Sequence, residues 1–388
     1  MLSMEEEASA KSGLRRPNNG FQIVFGGFDS KDTRHRPIIE WYAINIEVPD
    51  PEEAETYTSS EKLSTKKLIP FFAGELIKSS YFEAIGSHLY CVGNYDPNSV
   101  NDMRTLICTL DVTSPSDGWK FGPPMTTARD VSFTHTTHTV VLDGKLYVLG
   151  GIWIPKRHQY HLMEVFDPIL NTWEALPNPP SEIHLSLDST ITAVLESKKQ
   201  ILVALPIRHG YPDSCPEVTF YTYNVTTRCW ATLEPPVRKL GDRTYRLSNR
   251  VAEAVGNTLY WVFFKDDYLV VRTYDLDKDV WFEGSMNIRE ELFVKHEYLS
   301  YGELDRVPFL HLYDQKFCLL VPSDISKRNW KWKLLEQEIH YLSCFIFEVT
   351  PIFKKQDEAG FCELSISVVS VQKFPMNNNF QILEGMLM

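Results

Sequence analysis

Three tryptophans stand seven residues behind an aromatic residue that is followed by Asp or Asn: Phe166-Asp167 leads to Trp173, Tyr223-Asn224 to Trp230, and Tyr274-Asp275 to Trp281. Leu110-Asp111 leading to Trp119 is a looser copy, stretched by the insert TSPSDG. Successive tryptophans are then 54, 57 and 51 residues apart. A repeat of about 50 residues is the sequence signature of propeller blades.

The segments between the tryptophans are short, rich in Val, Ile, Leu, Tyr and Phe, and bounded by Gly, Pro, Asn and Asp, which is strand character. Four strands are read in each unit. The second unit has YFEAIGS, HLYCVGN, TLICTLD and GWKFG; the third has THTVVLD, KLYVLGG, MEVFDP and TWEALP. TITAVLE, QILVALP, VTFYTYN and CWATLE form the fourth, and RVAEAVG, TLYWVFF, LVVRTYD and VWFEGS the fifth. A sixth is drawn from FLHLYD, KFCLLVP, SCFIFEV and ELSISVVSV, without a terminal Trp. The first unit offers only GFQIVFGG, IIEWYAINIEV and KKLIPFFAG, and one run, FQILEG, is left over at 380–385. The expectation is an all-β, six-bladed propeller over 21–388 whose C-terminal strand completes the first blade, because an open ring would leave unpaired sheet edges. KWKLLEQEIHYL, around 331–342, is the nearest candidate for a helix, inside an insertion. Residues 1–20 read as a disordered tail.

Gly150-Gly151, Tyr147, Phe166-Asp167 and Trp173 resemble the double glycine, aromatic and tryptophan of the kelch repeat, and Gly26-Gly27 repeats the glycine pair. The other units hold Gly93-Asn94, Leu205-Pro206, Phe264-Lys265 and Pro322-Ser323 at that place. Physical chemistry assigns these residues structural work. Glycine allows positive φ or close backbone approach, the indole packs between sheets, and the Asp or Asn bonds backbone amides in a turn. The motif therefore marks a fold and not a ligand.

The 388 residues include 43% hydrophobic residues and carry a formal net charge of -12. That balance disfavours nonspecific binding to nucleic acid or anionic membrane. Seven cysteines without a C-x-x-C spacing read as buried thiols of a reducing compartment. With no apolar leader and no stretch long enough to span a membrane, the expected location is cytoplasm or nucleus, as a monomer. Asn224-Val225-Thr226 is formally a glycosylation sequon but reads as a turn.

The kelch resemblance implies that loops between second and third strands, and between blades, gather on one face. The first set, FDSKDTRHRP, GNYDPNSVNDMR, GIWIPKRHQYH, IRHGYPDSCPE, FKDDY and VPSDISKRNWKWK, has twelve Lys or Arg in 62 residues, twice the chain's average. Nine acidic residues share these loops, so an ordinary charged surface is the competing reading. The candidate partner-binding set is Arg34, Arg36, Arg104, Trp153, Arg157, His158, Tyr160, Arg208, Tyr211, Lys265 and Arg328, joined by Arg129, Arg243 and Arg246 from blade-to-blade loops, where Arg238 and Arg250 also fall. Arginine's planar fork suits carboxylates, and Trp, Tyr and Arg dominate interface energetics, with Tyr95, Trp330 and Trp332 as further anchors. The expected occupant is a protein partner, with an acidic segment or a small anionic ligand as alternatives.

Catalytic signals are weak. There is no G-x-S-x-G, Walker loop or H-E-x-x-H. His135 and His138 would point to opposite faces of a strand, which opposes a shared metal, and Asp266-Asp267 reads as a solvated turn. Among enzymes that resemble kelch propellers, specifier proteins use an E-x-x-x-D-x-x-x-H run that this sequence lacks, and galactose oxidase needs Tyr, His and a cross-linked Cys that no spacing identifies here. A non-catalytic module without cofactor or metal is expected, with a metal-dependent enzyme as the alternative. Relatives often carry an F-box or BTB domain that couples the propeller to a ubiquitin ligase. About twenty residues precede the first strand, fewer than either needs, so that role calls for a separate partner chain.

Overall fold

The computed structural model describes residues 20–29, 38–48, 61–64, 67–75, 81–93, 106–127, 137–150, 161–180, 191–207, 217–234, 238–239, 252–265, 268–288, 307–325, 339–352, 361–376 and 380–388. Among them strands dominate and α-helix is absent. The first set of strands comprises β1 (Phe21–Asp29), β2 (Ile38–Ile46) and, after the short β3 (Glu61–Leu63), β4 (Phe72–Glu75). β5 (Tyr81–Ile85), β6 (His88–Val92), β7 (Ile107–Asp111) and β8 (Lys120–Phe121) make the second; β9 (Thr137–Leu142), β10 (Lys145–Gly150), β11 (Met163–Asp167) and β12 (Thr172–Ala175) make the third. The fourth is β13 (Ile191–Leu195), β14 (Gln200–Ile207), β15 (Glu217–Asn224) and β16 (Cys229–Thr232), with β17 (Arg238–Lys239) added beside β15. β18 (Glu253–Val255), β19 (Thr258–Lys265), β20 (Tyr268–Asp275) and β21 (Val280–Asn287) form the fifth; β22 (Phe309–Tyr313), β23 (Lys316–Ile325), β24 (Ile339–Ile352) and β25 (Phe361–Met376) form the sixth. β26 (Phe380–Leu387) returns to the first set, giving the order β26-β1-β2-β4.

The last strand thus completes the first blade, with Ile23 opposite Leu387 and Asp29 opposite Phe380. The innermost strands touch in cyclic order, β26 to β5, β9, β13, β18, β22 and back to β26, so the β-propeller closes on itself. Its core is divided among the seams between blades. Phe25, Tyr42 and Ile44 of the first blade pack with Leu320, Leu342 and Cys344 of the sixth; Val140, Tyr147 and Val165 of the third pack with Ile201, Val203 and Tyr223 of the fourth. Every other pair of neighbours shares a cluster of the same kind. Period-2 alternation produces this, since the two faces of each strand bury against two different neighbours.

The repeated tryptophans sit at those seams. The Trp173 indole donates to the Pro123 carbonyl of the preceding blade, and Trp230 donates to Pro177 in the same way, both at 2.9 Å. Trp119 packs on Trp41 and Phe72 of the first blade with ring centroids 6.2 and 6.4 Å apart. The acid or amide that follows each aromatic caps the next turn. Asp167 Oδ1 accepts from the amides of Ile169 and Leu170, Asn224 Oδ1 from Thr226 and Thr227, Asp275 Oδ1 from Asp277 and Lys278, and Asp111 Oδ1 from Thr113. These bonds, with Lys145 beside Asp167, hold the Asp111 and Asp167 carboxyls below their ordinary range. The sequon asparagine is therefore a turn cap, as expected.

Several features differ from the sequence reading. Within KWKLLEQEIHYL, Ile339 to Leu342 belong to β24 and pair with Ile325 to Pro322, so this part is strand; 331–338 lie outside the described residues. The glycines at Gly26-Gly27 do not end their strand. A Cβ on Gly26 would stand 2.9 Å from the Trp41 ring, and the pairing with β26 shifts register there. Gly150, by contrast, has φ 76°. Arg238 lies in β17 rather than in a loop. Cys91, Cys108, Cys229, Cys318, Cys344 and Cys362 are free thiols, but Cys229 is exposed. β3 and the parallel pairing of β21 with β25 had no counterpart in the repeat pattern.

The channel carries two acids from opposite blades. Glu83 on β5 and Glu253 on β18 are half-buried, and desolvation by the surrounding protein raises each carboxyl from 4.5 to about 7. Repulsion from Glu83 and Glu196 adds to the shift of Glu253, whereas a bond with Thr139 opposes that of Glu83. Blades two and five are diametrically opposed, so Glu83 acts on Glu253 across the axis.

Folding raises both values, so between pH 4.5 and 7 the native state keeps protons that the unfolded chain has released, and stability falls as the pH rises. The pair is expected to make the protein roughly 2 kcal/mol less stable at pH 8 than at pH 5, allowing for partial exposure. Thermal denaturation of Glu253→Gln should show a smaller drop in Tm between those pH values than the parent shows; an unchanged drop would refute the assignment. A second expectation concerns the junction of blades five and six. An ideal Cβ on Gly284 falls on the Leu364 carbonyl oxygen, far inside van der Waals contact. Gly284→Ala should therefore cost about 1–3 kcal/mol in chemical denaturation, and a neutral effect would show that the junction is loose.

Candidate partner-binding face

In a four-stranded antiparallel meander, the first and third connections leave one end of the sheet, while the second connection and the exit to the next blade leave the other. In the third, fourth and fifth blades the first end is closed by tight turns. Asp143 and Gly144, both at positive φ (53° and 67°), join β9 to β10, and Asn171, Arg228 and Asp279, at 53°, 57° and 55°, sit in the turns before the outer strands. The strand ends that border 30–37, 94–105, 151–160, 208–216 and 326–338 lie at the opposite end.

The stems of those connections are tied to one another in the third blade. Glu164 on β11 is fully buried, and its carboxylate accepts from the Thr126 amide and hydroxyl at 2.8 Å and from the Thr127 amide at 3.0 Å. The Thr127 hydroxyl accepts from the His161 amide at 3.2 Å, and the Gly150 amide donates to Leu162 at 2.9 Å. Leu162 donates to Asn178 Oδ1 at 2.9 Å. One buried carboxylate thus fixes the stem that leads to Arg129, and the same stem is bonded to the end of the loop that holds Trp153, Arg157, His158 and Tyr160. In the second blade Gly93 donates to Leu106 at 3.0 Å, closing the base of the loop that holds Tyr95 and Arg104.

Arg34, Arg36, Arg104, Arg129, Trp153, Arg157, His158, Tyr160, Arg208, Tyr211, Arg243, Arg246 and Arg328 themselves lie outside the described residues, as do Arg250, Tyr95, Trp330, Trp332, His135 and Asp266-Asp267. Lys265 is the last residue of β19, and its backbone pairs with Tyr268 at the start of β20. Among the described residues no group of three or more His, Cys, Asp or Glu is placed to hold a metal ion. His138 is buried, with Nδ1 3.3 Å from the Thr192 hydroxyl. His311 is held below its ordinary value by burial, and its Nε2 lies 3.0 Å from the Asp314 carbonyl oxygen. No helix among the described residues is long and apolar enough to cross a membrane.

Sequence reasoning missed Glu164, Thr127 and Asn178. The available signal was Glu164 itself, two residues before Phe166-Asp167, an acid in a run otherwise read as buried strand. A second acid within a run read as strand is Glu83, on the inner strand of the neighbouring second blade.

The kelch motif model matches residues 135–180, the span that contains Glu164, His161 and Asn178 of this network but not Thr126 and Thr127. An F-box/kelch-repeat protein of Arabidopsis thaliana is 30% identical over 139 residues, 36% of this chain and 30% of the relative. Another from the same plant is 27% identical over 239 residues, 59% of this chain and 50% of the relative. The chain therefore spans half or less of the length of these two relatives. Among solved structures, TolB from Acinetobacter baumannii overlays with a TM-score of 0.38 at 10% identity, covering 97% of this chain and 70% of that one, too loosely to carry an argument. The chain thus carries a kelch motif at 135–180, set in a closed ring of four-stranded sheets with indoles and turn acids at the repeat positions.

Proposed function

We propose that the chain is a non-catalytic protein-interaction module that presents the loops around one channel mouth to a partner protein. The observation that carries this reading is the direction of the connections. Tight turns occupy one end of the third, fourth and fifth blades and, although the connections at 47–71 and 353–360 leave from the tight-turn end, the strand ends that lead into most of the arginine-rich segments lie at the other. Buried polar groups near that end, Glu164 foremost, serve to fix loop stems. A protein face needs rigid stems and variable tips.

The finer proposal is substrate recognition for a ubiquitin ligase. It draws on relatives whose names pair F-box with kelch repeat. The arginines favour a partner surface carrying carboxylates, since each can bind one through two parallel hydrogen bonds. Cytoplasm or nucleus is the proposed place of action.

Affinity purification of the tagged protein followed by mass spectrometry tests the reading. A reproducible partner is expected, and its capture should fall at least tenfold when Arg129, Arg157 and Arg243 are changed to Glu, with Tm unchanged. Undiminished capture would remove the arginine face. Glu164→Ala should act differently, leaving buried amides unpaired at a cost of about 2–4 kcal/mol and reducing capture through its effect on the stem. Stoichiometric iron or copper in the purified protein would instead favour a metal-dependent enzyme.

A further inference from the structure

The outer strands of the second, third and fourth blades are short, two residues in β8 and four in β12 and β16, whereas β25 runs for sixteen. One edge of β25 is paired with β24 from Glu363 to Met376. Its other edge is covered only at the ends among the described residues: β21 pairs with Phe361 to Glu363, and β3 with Val371 to Lys373, both in parallel. The Leu364 carbonyl lies against Gly284. Between these covers no strand among the described residues lies beside the outer edge of 365–370.

Open edges are usually blunted by shortness, charge, proline or a bulge. Ser365-Ile366-Ser367-Val368-Val369-Ser370 has no charge and no proline, and half of it is β-branched. A register shift between Ile346 and Phe347 leaves Val369 without a partner and blunts the far end only. The usable ladder is therefore 365–368. Ser365 and Ser367 are exposed, whereas Ile366 and Val368 are partly buried against the cluster between blades five and six. A strand laid here would extend both surfaces, apolar beside Ile366 and Val368 and small and polar beside the serines. Backbone bonds would supply affinity and the alternating side chains selectivity.

We propose that this edge is a strand-addition site for an extended, uncharged segment of a partner protein, about five residues long and alternating β-branched with small polar residues. It is separate from the loop face, and neither depends on the other.

Hydrogen–deuterium exchange on the full chain tests it, with the labelled hexapeptide SVTISV as probe and an alternately N-methylated copy as control. Expected are fast exchange at those amides of 365–368 that point away from β24 in the free protein, at least tenfold slowing there with the peptide, and none with the methylated copy. The double variant Ser365→Lys, Ser367→Lys changes only exposed side chains. It should keep the parent Tm and bind the peptide at least tenfold more weakly. Slow exchange of the same outward-pointing amides in the free protein, independent of concentration, would show the edge already covered by this chain and overturn the proposal. Protection that grows with protein concentration, together with a dimer in light scattering, would assign the edge to a second copy and overturn it equally. Fast exchange unaffected by the peptide would do the same.

Discussion

The pairing of β26 with β1 puts the two ends of the chain into one sheet, and every other blade depends on that closure. A propeller blade has no core of its own; its two faces are buried by two neighbours. If the ring opened between the sixth and first blades, Phe25, Tyr42 and Ile44 on one side and Leu320, Leu342 and Cys344 on the other would all meet water. Exposing side chains of this size costs about 1.5–3 kcal/mol each, which even partial exposure would raise to a large fraction of a folded protein's net stability. The closure is reinforced from outside. Between the third and fourth strands of the first blade the chain crosses to the sixth, where β3 pairs with β25, Ser64 donates to Lys373 at 2.9 Å and Leu68 donates to Pro375 at 3.1 Å. Gln372 adds a 2.7 Å bond to the Glu47 carbonyl.

At the other seams the repeat itself does this work. Trp173 and Trp230 each reach back to a proline carbonyl of the preceding blade, so the residue that marks the period also couples consecutive blades. Ion pairs add to the same seam: Arg228 bonds both oxygens of Glu174, at 2.6 and 2.8 Å, and Lys199 pairs with Asp143. These are exposed, and in salt each is worth less than the indole contacts it accompanies. The sixth blade has no terminal Trp, and its seam with the fifth uses other means. Arg272, nearly fully buried, bonds Glu283 and lies 4.7 Å from the Phe361 ring, where the absence of a side chain on Gly284 lets β25 come alongside.

The blades and their closure were legible in the sequence because burial on two faces and an indole at each seam leave a period in the residue types. The leftover FQILEG run had only one unpaired place to go. What escaped was contact without periodicity. β3 is Glu-Lys-Leu, with no apolar alternation, and its strand state is imposed by the edge of β25. Ile339 to Leu342 were read as part of a helix because their spacing allows it; the ladder with β23 and the burial of Leu342 decide otherwise. Glu164 was passed over because an acid within a strand normally marks the wet face, whereas here three donors satisfy it inside the protein. The arginines were legible as a loop composition, but no repeat fixes where loop side chains go.

These two kinds of residue divide the labour within the molecule. Residues bound to the period cannot vary freely, because a change at Trp173 or Asp167 disturbs a seam or a turn that neighbouring blades share. Loops beyond the Glu164 stem carry none of the repeat positions, so the period does not constrain their sequence. The sixth blade is a second departure from the period: once β24 and β25 outgrew the usual strand length, their backbone extended past what the neighbouring blades could cover. Places where the repeat stops constraining the sequence are thus the places free to take on a partner, which is why both proposals fall where the period lapses, in the loops beyond the stems and along β25.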